Sequence, residues 1–492
     1  MTESPWMTAA ADFVPEPGLW IGGELRDHAS AGVLPLLTPR DGSTLASVPS
    51  AGDAEVDDAV AVAVQTFTSG IWSRMGPTER GQVLQRWADL IAERSEELAL
   101  VISLEMGKPV TAALEVEARA AEKTIRWYGE LSDKLMDEAP RGRVDALALV
   151  TREPVGCVAA ILPWNMPVTL LSWKLGAALV AGNSMVVKPA EQTPLSAVLL
   201  ARWAEEAGLP TGVLNVVTGE GAVAGRRLAL HRDVACLTFT GSPRVGKQLL
   251  AYAAESNAKP VWLELGGKTP FMVLADADLD AASDALAWGI TFNTGQLCSA
   301  ASRAIVAQEV AEEFVESVTA KLAKRVVGDP LDPATEIGPL ASSQHRDNVL
   351  AHVRRGMESG ARLALGSAEK DPRDGWYVEP AVFTGVDASN LLAQEEIFGP
   401  VLSVLTAESL DDAVRLANDS AYGLGSSVWT SDISSAHQVS RRIDAGTVWV
   451  NCFEEGDMSV PFGGRKLSGH GADKSAHAID KFTHLKTTWI AL

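Results

Sequence analysis

A lone cysteine closes the stretch Phe292-Asn293-Thr294-Gly295-Gln296-Leu297-Cys298-Ser299, and upstream a glutamate sits in Leu263-Glu264-Leu265-Gly266-Gly267-Lys268. A free cysteine is more often a small buried hydrophobe than a reactive group. Amide, glycine and hydroxyl neighbours make a poor core, so Cys298 reads as a nucleophile. Paired with a carboxylate in a second glycine-bracketed turn, the thiolate would form a covalent intermediate, and the carboxylate would activate the water that releases it. Glu264 lies between two leucines, where an ionised, unpaired carboxylate is costly and calls for a raised pKa or a purpose. Its plainer reading is a salt bridge with Lys268. Asn165, in Pro163-Trp164-Asn165-Met166-Pro167, reads either as a turn residue before a proline-started helix or as an oxyanion donor, whose loss typically costs on the order of a hundredfold or more in rate.

These groups need a scaffold, and the chain supplies one. Thr78 to Met106 reads as helical, with Val83, Leu84, Trp87, Leu90 and Ile91 on one face and Gly107 and Pro109 ending the run. From Gly156 to Glu264, apolar runs alternate with amphipathic stretches: Cys157–Leu162, Ser184–Val187, Val213–Val217, Ala235–Thr240 and Val261–Leu263. That alternation predicts a parallel sheet flanked by helices. After these runs come Pro163-Trp164-Asn165, Lys188-Pro189-Ala190-Glu191, Thr218-Gly219-Glu220-Gly221, Thr240-Gly241-Ser242 and Glu264. Ligands of open α/β sheets bind at the carboxyl ends of strands, so one edge collects the chemistry. Gly219, Gly221 and Gly225 miss the spacing of the dinucleotide fingerprint, as does Gly241 to Gly246. A nucleotide near this edge still fits the backbone N–H groups of such turns. A second α/β region follows to about Leu467. Arg143–Arg152 and Lys481–Ile490 alternate as strands without a sheet of their own, which predicts a subunit interface.

The chain has 492 residues, enough for two or three domains, and a net charge of −21 that disfavours nucleic acid or an anionic membrane as partner. Cys157 and Cys236 lie in apolar runs and read as core, as Cys452 does with less support. Scattered cysteines, no basic n-region and no span of transmembrane length predict a cytoplasmic protein without disulfides. No cluster of metal-ligating residues appears.

Taken together, PWNMP (163–167), KPAEQTP (188–194), FTGS (239–242), LELGGK (263–268), GQLCS (295–299), EEIFGP (395–400) and Pro461-Phe462-Gly463-Gly464 resemble the aldehyde dehydrogenase superfamily along nearly the whole chain. The resemblance implies an α/β fold with a Rossmann-like parallel-sheet cofactor domain (1–135 and 155–266), an α/β catalytic domain (267–467) and a small β oligomerisation extension (136–154 and 468–492). It implies a homodimer or homotetramer acting on an aldehyde with NAD. Cys298 would attack the aldehyde, Asn165 and the Cys298 N–H would hold the oxyanion, Glu264 would activate water, and Lys174 would relay protons. Lys188 and Glu191 would bind the adenine ribose, a carboxylate there favouring NAD over NADP. Ser242 would contact the pyrophosphate, and Glu396 and Phe398 the nicotinamide ribose. Leu162, Trp164, Gly221, Gly225, Phe239, Gly241 and Leu265 would complete the groove. Met166, Trp173 and Leu297 would line the substrate tunnel.

The C-terminal stretches Glu455–Pro461 and Asp473–Ile490, with Ile125-Arg126-Trp127-Tyr128, resemble the bacterial γ-glutamyl-γ-aminobutyraldehyde dehydrogenases of polyamine breakdown. The loop 453–457 corresponds to the one that anchors the substrate tail. Its acids, Glu454, Glu455 and Asp457, suit an amine-bearing tail and repel a carboxylate, unless they point to solvent. Glu117 is a further candidate for that task. Unsubstituted aliphatic or aromatic aldehydes are the alternative substrates, and a catalytically idle binding or structural relative is the remote one.

Overall fold

The computed structural model describes residues 4–492. The alternating runs of 156–264 form the centre of an eight-stranded sheet. Five parallel strands lie in the spatial order Leu214–Val216, Ser184–Lys188, Cys157–Ile161, Cys236–Thr240 and Val261–Glu264. Chain order reverses at Cys157–Ile161, so the crevice for a ligand opens beside that strand. The runs are apolar throughout because both faces are covered. Val158 and Ala160 face one core, with Trp72, Trp87 and Leu175, while Cys157, Ala159 and Ile161 face the other, with Val60, Val234 and Leu249. Cys157 and Cys236 are core residues as expected, and burial pushes both thiols up to about 12.

The second sheet has seven strands: Arg362–Leu365, Ala381–Thr384, Val401–Ala407, Arg303–Ala307, Pro270–Val273, Gly425–Trp429 and Thr447–Val450 in spatial order. All its pairings are parallel except the first. It too is packed on both faces, with Met272 in one cluster and Phe271 and Val273 in another.

The run from Thr78 to Met106 is helical as read, divided into Pro77–Glu93 and Ser95–Met106 by a break at Arg94 (φ −107°, ψ 24°). The Arg94 guanidinium holds Glu206 at 2.7 Å and lies 5.5 Å over the Trp203 ring, contacts no local periodicity reveals. The stretch 468–492 is not one extension. Gly469–His470 adds an antiparallel edge strand to Val261–Glu264, and Ala476–Phe482 buries Ala478, Ile479 and Phe482 in the first core. Only Thr483–Ala491 leaves the body, pairing antiparallel with Ala146–Pro154 from Thr483↔Pro154 to Ala491↔Ala146. This ribbon exposes Leu147, Leu485, Trp489 and Ile490. Among the described residues, no helix is long and apolar enough to cross a membrane.

Candidate active site

Asn165 follows strand Cys157–Ile161 and precedes helix Pro167–Val180, whose first residue is a proline with its φ preset for the helix. Its position is fixed from several sides. The Asn165 Nδ2 donates to the Gln296 carbonyl at 3.0 Å, and its own carbonyl accepts from Asn293 Nδ2 at 2.8 Å. Asn293 Nδ2 also reaches Gln296 O at 3.1 Å, Gln296 Nε2 donates to Asn293 O at 2.9 Å, and Gln296 Oε1 accepts the Ala341 N–H at 2.9 Å. The cysteine loop is thereby tied to Asn165 through amides only.

The backbone entering Cys298 is strained. Asn293 and Thr294 hold φ of 51° and 58°, and Gly295 follows at 71°. A Cβ on Gly295 would lie 2.4 Å from the Gly399 carbonyl carbon, so only glycine fits. Left-handed non-glycine residues recur nearby at Phe398, Glu454, Lys474 and Ser475. Such strain persists where the surroundings over-determine the conformation, as at active sites.

Cys298 and Glu264 come together through the Gly266-Gly267 turn. A Cβ on Gly267 would sit 2.2 Å from the Cys298 carbonyl oxygen, so the two loops touch backbone to backbone. Glu264 is 4% exposed, its Oε1 has no partner, and it makes no salt bridge with Lys268, whose buried ammonium is also unpaired. Burial, and after it the charge of Asp473, pushes the Glu264 carboxyl well above its usual range, against the pull of Lys174 and Lys481. Lys174 Nζ holds Asp473 Oδ2 at 2.8 Å, and Lys481 takes the other oxygen. Burial opposes the Asp473 charge, but the two lysines outweigh it and hold the carboxyl well below the usual range. Burial and the carboxylates of Glu264, Glu454 and Glu396 push the Cys298 thiol well up. The Cys298 N–H is taken by no backbone carbonyl.

Asn165 and Cys298 both line a cavity of about 420 Å³. Met166, Trp173 and Leu297, the predicted tunnel residues, line it, joined by Trp288, Phe292, Trp449 and Phe462. The acidic loop is on the wall, fixed by the Trp449 Nε1 bond to the Glu455 carbonyl at 2.8 Å. Glu455 and Asp457 are exposed at the mouth, where Asp457 accepts the Ser459 N–H at 2.7 Å. Glu454 is the acid that lies inside, with Oε1 unpartnered and its carboxyl raised by burial against the Ser299 hydrogen bond and Lys474. Lys474 lines the same wall, 5.9 Å from the Trp173 ring. Lys474 had no role in the sequence reading, whereas Glu454 is one of the three acids it placed in the anchor loop.

Glu117 is the correction. It does not line the cavity: it is fully buried, bonded to Lys108, and accepts the Val168 N–H at 3.0 Å and the Thr169 N–H at 3.4 Å. A buried ammonium and the free N–H groups of a helix start draw a carboxylate inward.

The predicted cofactor residues gather at the carboxyl edge of the first sheet. Buried Lys188 donates to Pro189 O at 2.7 Å and lies 3.5 Å from Glu191, which accepts the Gly221 N–H at 2.6 Å. Ser242 caps helix Pro243–Glu255, and Thr240 presents a buried hydroxyl without a partner. Gly225, Phe239, Gly241 and Leu265 flank these groups, and Leu162 follows strand Cys157–Ile161 beside Lys188, its N–H bonded to Lys188 O at 3.0 Å. Glu396 accepts the Gly267 N–H at 2.9 Å, and burial pushes it up to about 7. Phe398 stands edge-on to Trp164 at 5.4 Å, and its carbonyl accepts from His345 Nε2 at 2.7 Å. His345 carried no sequence signal. An unused ammonium proton, an orphan hydroxyl and a capped helix start suit a nucleotide with phosphates and ribose hydroxyls. Among the described residues, no group of three potential ligands could hold a metal ion.

The aldehyde dehydrogenase family profile matches residues 26–488. The chain is 45% identical over 488 residues to the NADP/NAD-dependent aldehyde dehydrogenase PuuC of Escherichia coli K12, covering 99% of this chain and 98% of that one. A crystal structure of an indole-3-acetaldehyde dehydrogenase with NAD+ superposes with a TM-score of 0.98 at 47% identity, covering 100% of both chains. That of a γ-glutamyl-γ-aminobutyraldehyde dehydrogenase from Burkholderia cenocepacia gives 0.97 at 46%, covering 99% of both. The chain belongs to the aldehyde dehydrogenase family, and it is an aldehyde-oxidising enzyme.

Proposed function

We propose that the protein oxidises aldehydes bearing an amine on the tail to carboxylic acids, with NAD as oxidant, through a thioester on Cys298. The observation that carries this reading is that Asn165, Cys298 and Glu454 line one cavity while the turn after Glu264 packs against the Cys298 backbone. The Cys298 sulfur bonds to the aldehyde carbon as its proton passes to solvent in the cavity, a step that leaves Glu264 free for the second half-reaction. The carbonyl oxygen becomes an oxyanion held by the second Asn165 Nδ2 proton and the Cys298 N–H. NAD bound along Lys188, Glu191, Ser242, Glu396 and Phe398 supplies the acceptor for the hydride that leaves this carbon. The thioester that remains is hydrolysed by water deprotonated at Glu264, and the sulfur leaves as thiolate. Lys174, whose ammonium is held by Asp473, would relay that proton by releasing one of its own toward solvent before accepting the one from Glu264. The free Glu191 oxygen accepts from the ribose 2′-hydroxyl and repels a 2′-phosphate.

The tail assignment rests on the acids of 454–457, of which Glu454 lacks a full set of partners. An ammonium group would satisfy it, and the indole rings around the cavity attract cations as well. Those same rings, Trp173, Trp288 and Trp449, favour a second reading in which the tail is itself aromatic. The exposed apolar ribbon 146–154 with 483–491 supports a homo-oligomer, and four unpaired thiols support a reducing, cytoplasmic setting. Initial rates with 4-aminobutyraldehyde, butyraldehyde, succinic semialdehyde and an arylacetaldehyde test the substrate class. Amine preference in kcat/KM is expected. Preference for the aryl aldehyde would transfer the assignment to the second reading, and equal use of all four would discard both.

A further inference from the structure

Behind Asn165, away from the cavity, lies an ion pair with no access to solvent: Lys108, 1% exposed, and Glu117, 0% exposed. Taking both charges out of water is expensive, and apolar residues of the same size would pack at least as well. What the pair supplies that apolar residues cannot is direction. An ammonium has three protons, and all are used. One goes to Glu117, one to the Asn165 carbonyl at 3.1 Å and one to the Met166 sulfur at 2.9 Å. Glu117 spends its other oxygen on the first N–H groups of helix Pro167–Val180. The segment Asn165-Met166 is therefore held between a charged donor and the helix it begins, while Asn293 grips the same carbonyl from the cysteine loop at 2.8 Å.

We propose that Lys108, held by Glu117, is a positioning residue for the oxyanion step. By fixing the Asn165 peptide, it keeps one side-chain N–H aimed at the place where charge develops above Cys298. The proposal rests on the reading of Asn165 as oxyanion donor. A donor held in place beforehand loses nothing to reorganisation when the charge appears, whereas one free to turn does. The same clamp sets Met166 in the cavity wall.

The test is a double-mutant cycle of Lys108→Met with Asn165→Ala, read as the pre-steady-state rate of NADH formation, with NAD affinity from tryptophan quenching. Lys108→Met is expected to slow the burst about tenfold or more, the weight of a lost charge-assisted hydrogen bond, with NAD affinity unmoved. In the Asn165→Ala background it should cost less than about twofold, because the residue it positions is gone. Equal losses in both backgrounds, or none in the wild type, would overturn the proposal and leave Lys108 a packing residue. If Asn165→Ala itself keeps the full rate, the oxyanion reading falls and this inference with it. Should Lys108→Met not fold, Glu117→Gln takes its place in the cycle, with the same non-additivity expected.

Discussion

Glu264→Gln keeps the shape of a side chain that is 4% exposed and removes its charge. The carboxylate has an unpartnered oxygen and feels Asp473 as a like charge, so the amide relieves repulsion and the fold should hold. What is lost is base catalysis of thioester hydrolysis, on the order of 10²–10⁴ in rate, or about 3–5 kcal/mol of barrier. Stopped-flow absorbance should show NADH formed to about one equivalent per site, followed by near arrest, because a base assisting a single half-reaction spares the other. In the wild type, deacylation should rise with pH along a limb displaced above the usual carboxylate range, since burial and Asp473 both raise this carboxyl. The variant should lose that limb. The reasoning fails if burst and turnover fall together, or if the limb survives the substitution.

Three further outcomes follow from other residues. Glu454→Gln removes a carboxylate that raises the Cys298 thiol, so alkylation by iodoacetamide at fixed pH should speed up while kcat/KM for the aminoaldehyde falls relative to butyraldehyde; unchanged selectivity would detach Glu454 from the tail. Glu191→Ser should raise kcat/KM with NADP about tenfold or more by removing the carboxylate that faces a 2′-phosphate, measured against NAD in the same preparation. Buried Glu105, which accepts the Leu195 N–H at 2.9 Å, is pushed by burial from 4.5 to about 8. A carboxyl raised on folding contributes stability that is full below about 4.5 and is lost as pH rises through about 8, so the melting temperature of Glu105→Gln should fall less than that of the wild type across this window. Parallel curves would refute the shift.

The fold family and the residues proposed for the chemistry were legible because they are written in short local motifs. Glu264, Cys298 and Asn165 each sit in a turn rich in glycines, prolines or amides that no apolar core would call for, and five strand ends deliver polar residues to one edge. What stayed hidden depends on partners remote in sequence. Glu117 looks like any helical acid until Lys108 and the start of helix Pro167–Val180 close around it. Gly469–His470 is too short to show a strand period and is defined only by its pairing with Leu263 and Glu264. The break at Arg94 has the same origin, since Glu206 and Trp203 lie far along the chain. His345 and Lys474 meet the site through the Phe398 carbonyl and the Glu454 carboxyl, partners that lie well away from them along the chain.

The central claim is a covalent thioester on Cys298. Glu264→Gln enzyme mixed with NAD and 4-aminobutyraldehyde, acid-quenched and digested, should carry the acyl mass on the peptide containing Cys298 and on none containing Cys157, Cys236 or Cys452. Full release of acid with no acylated cysteine, or the acyl group on another thiol, would contradict it.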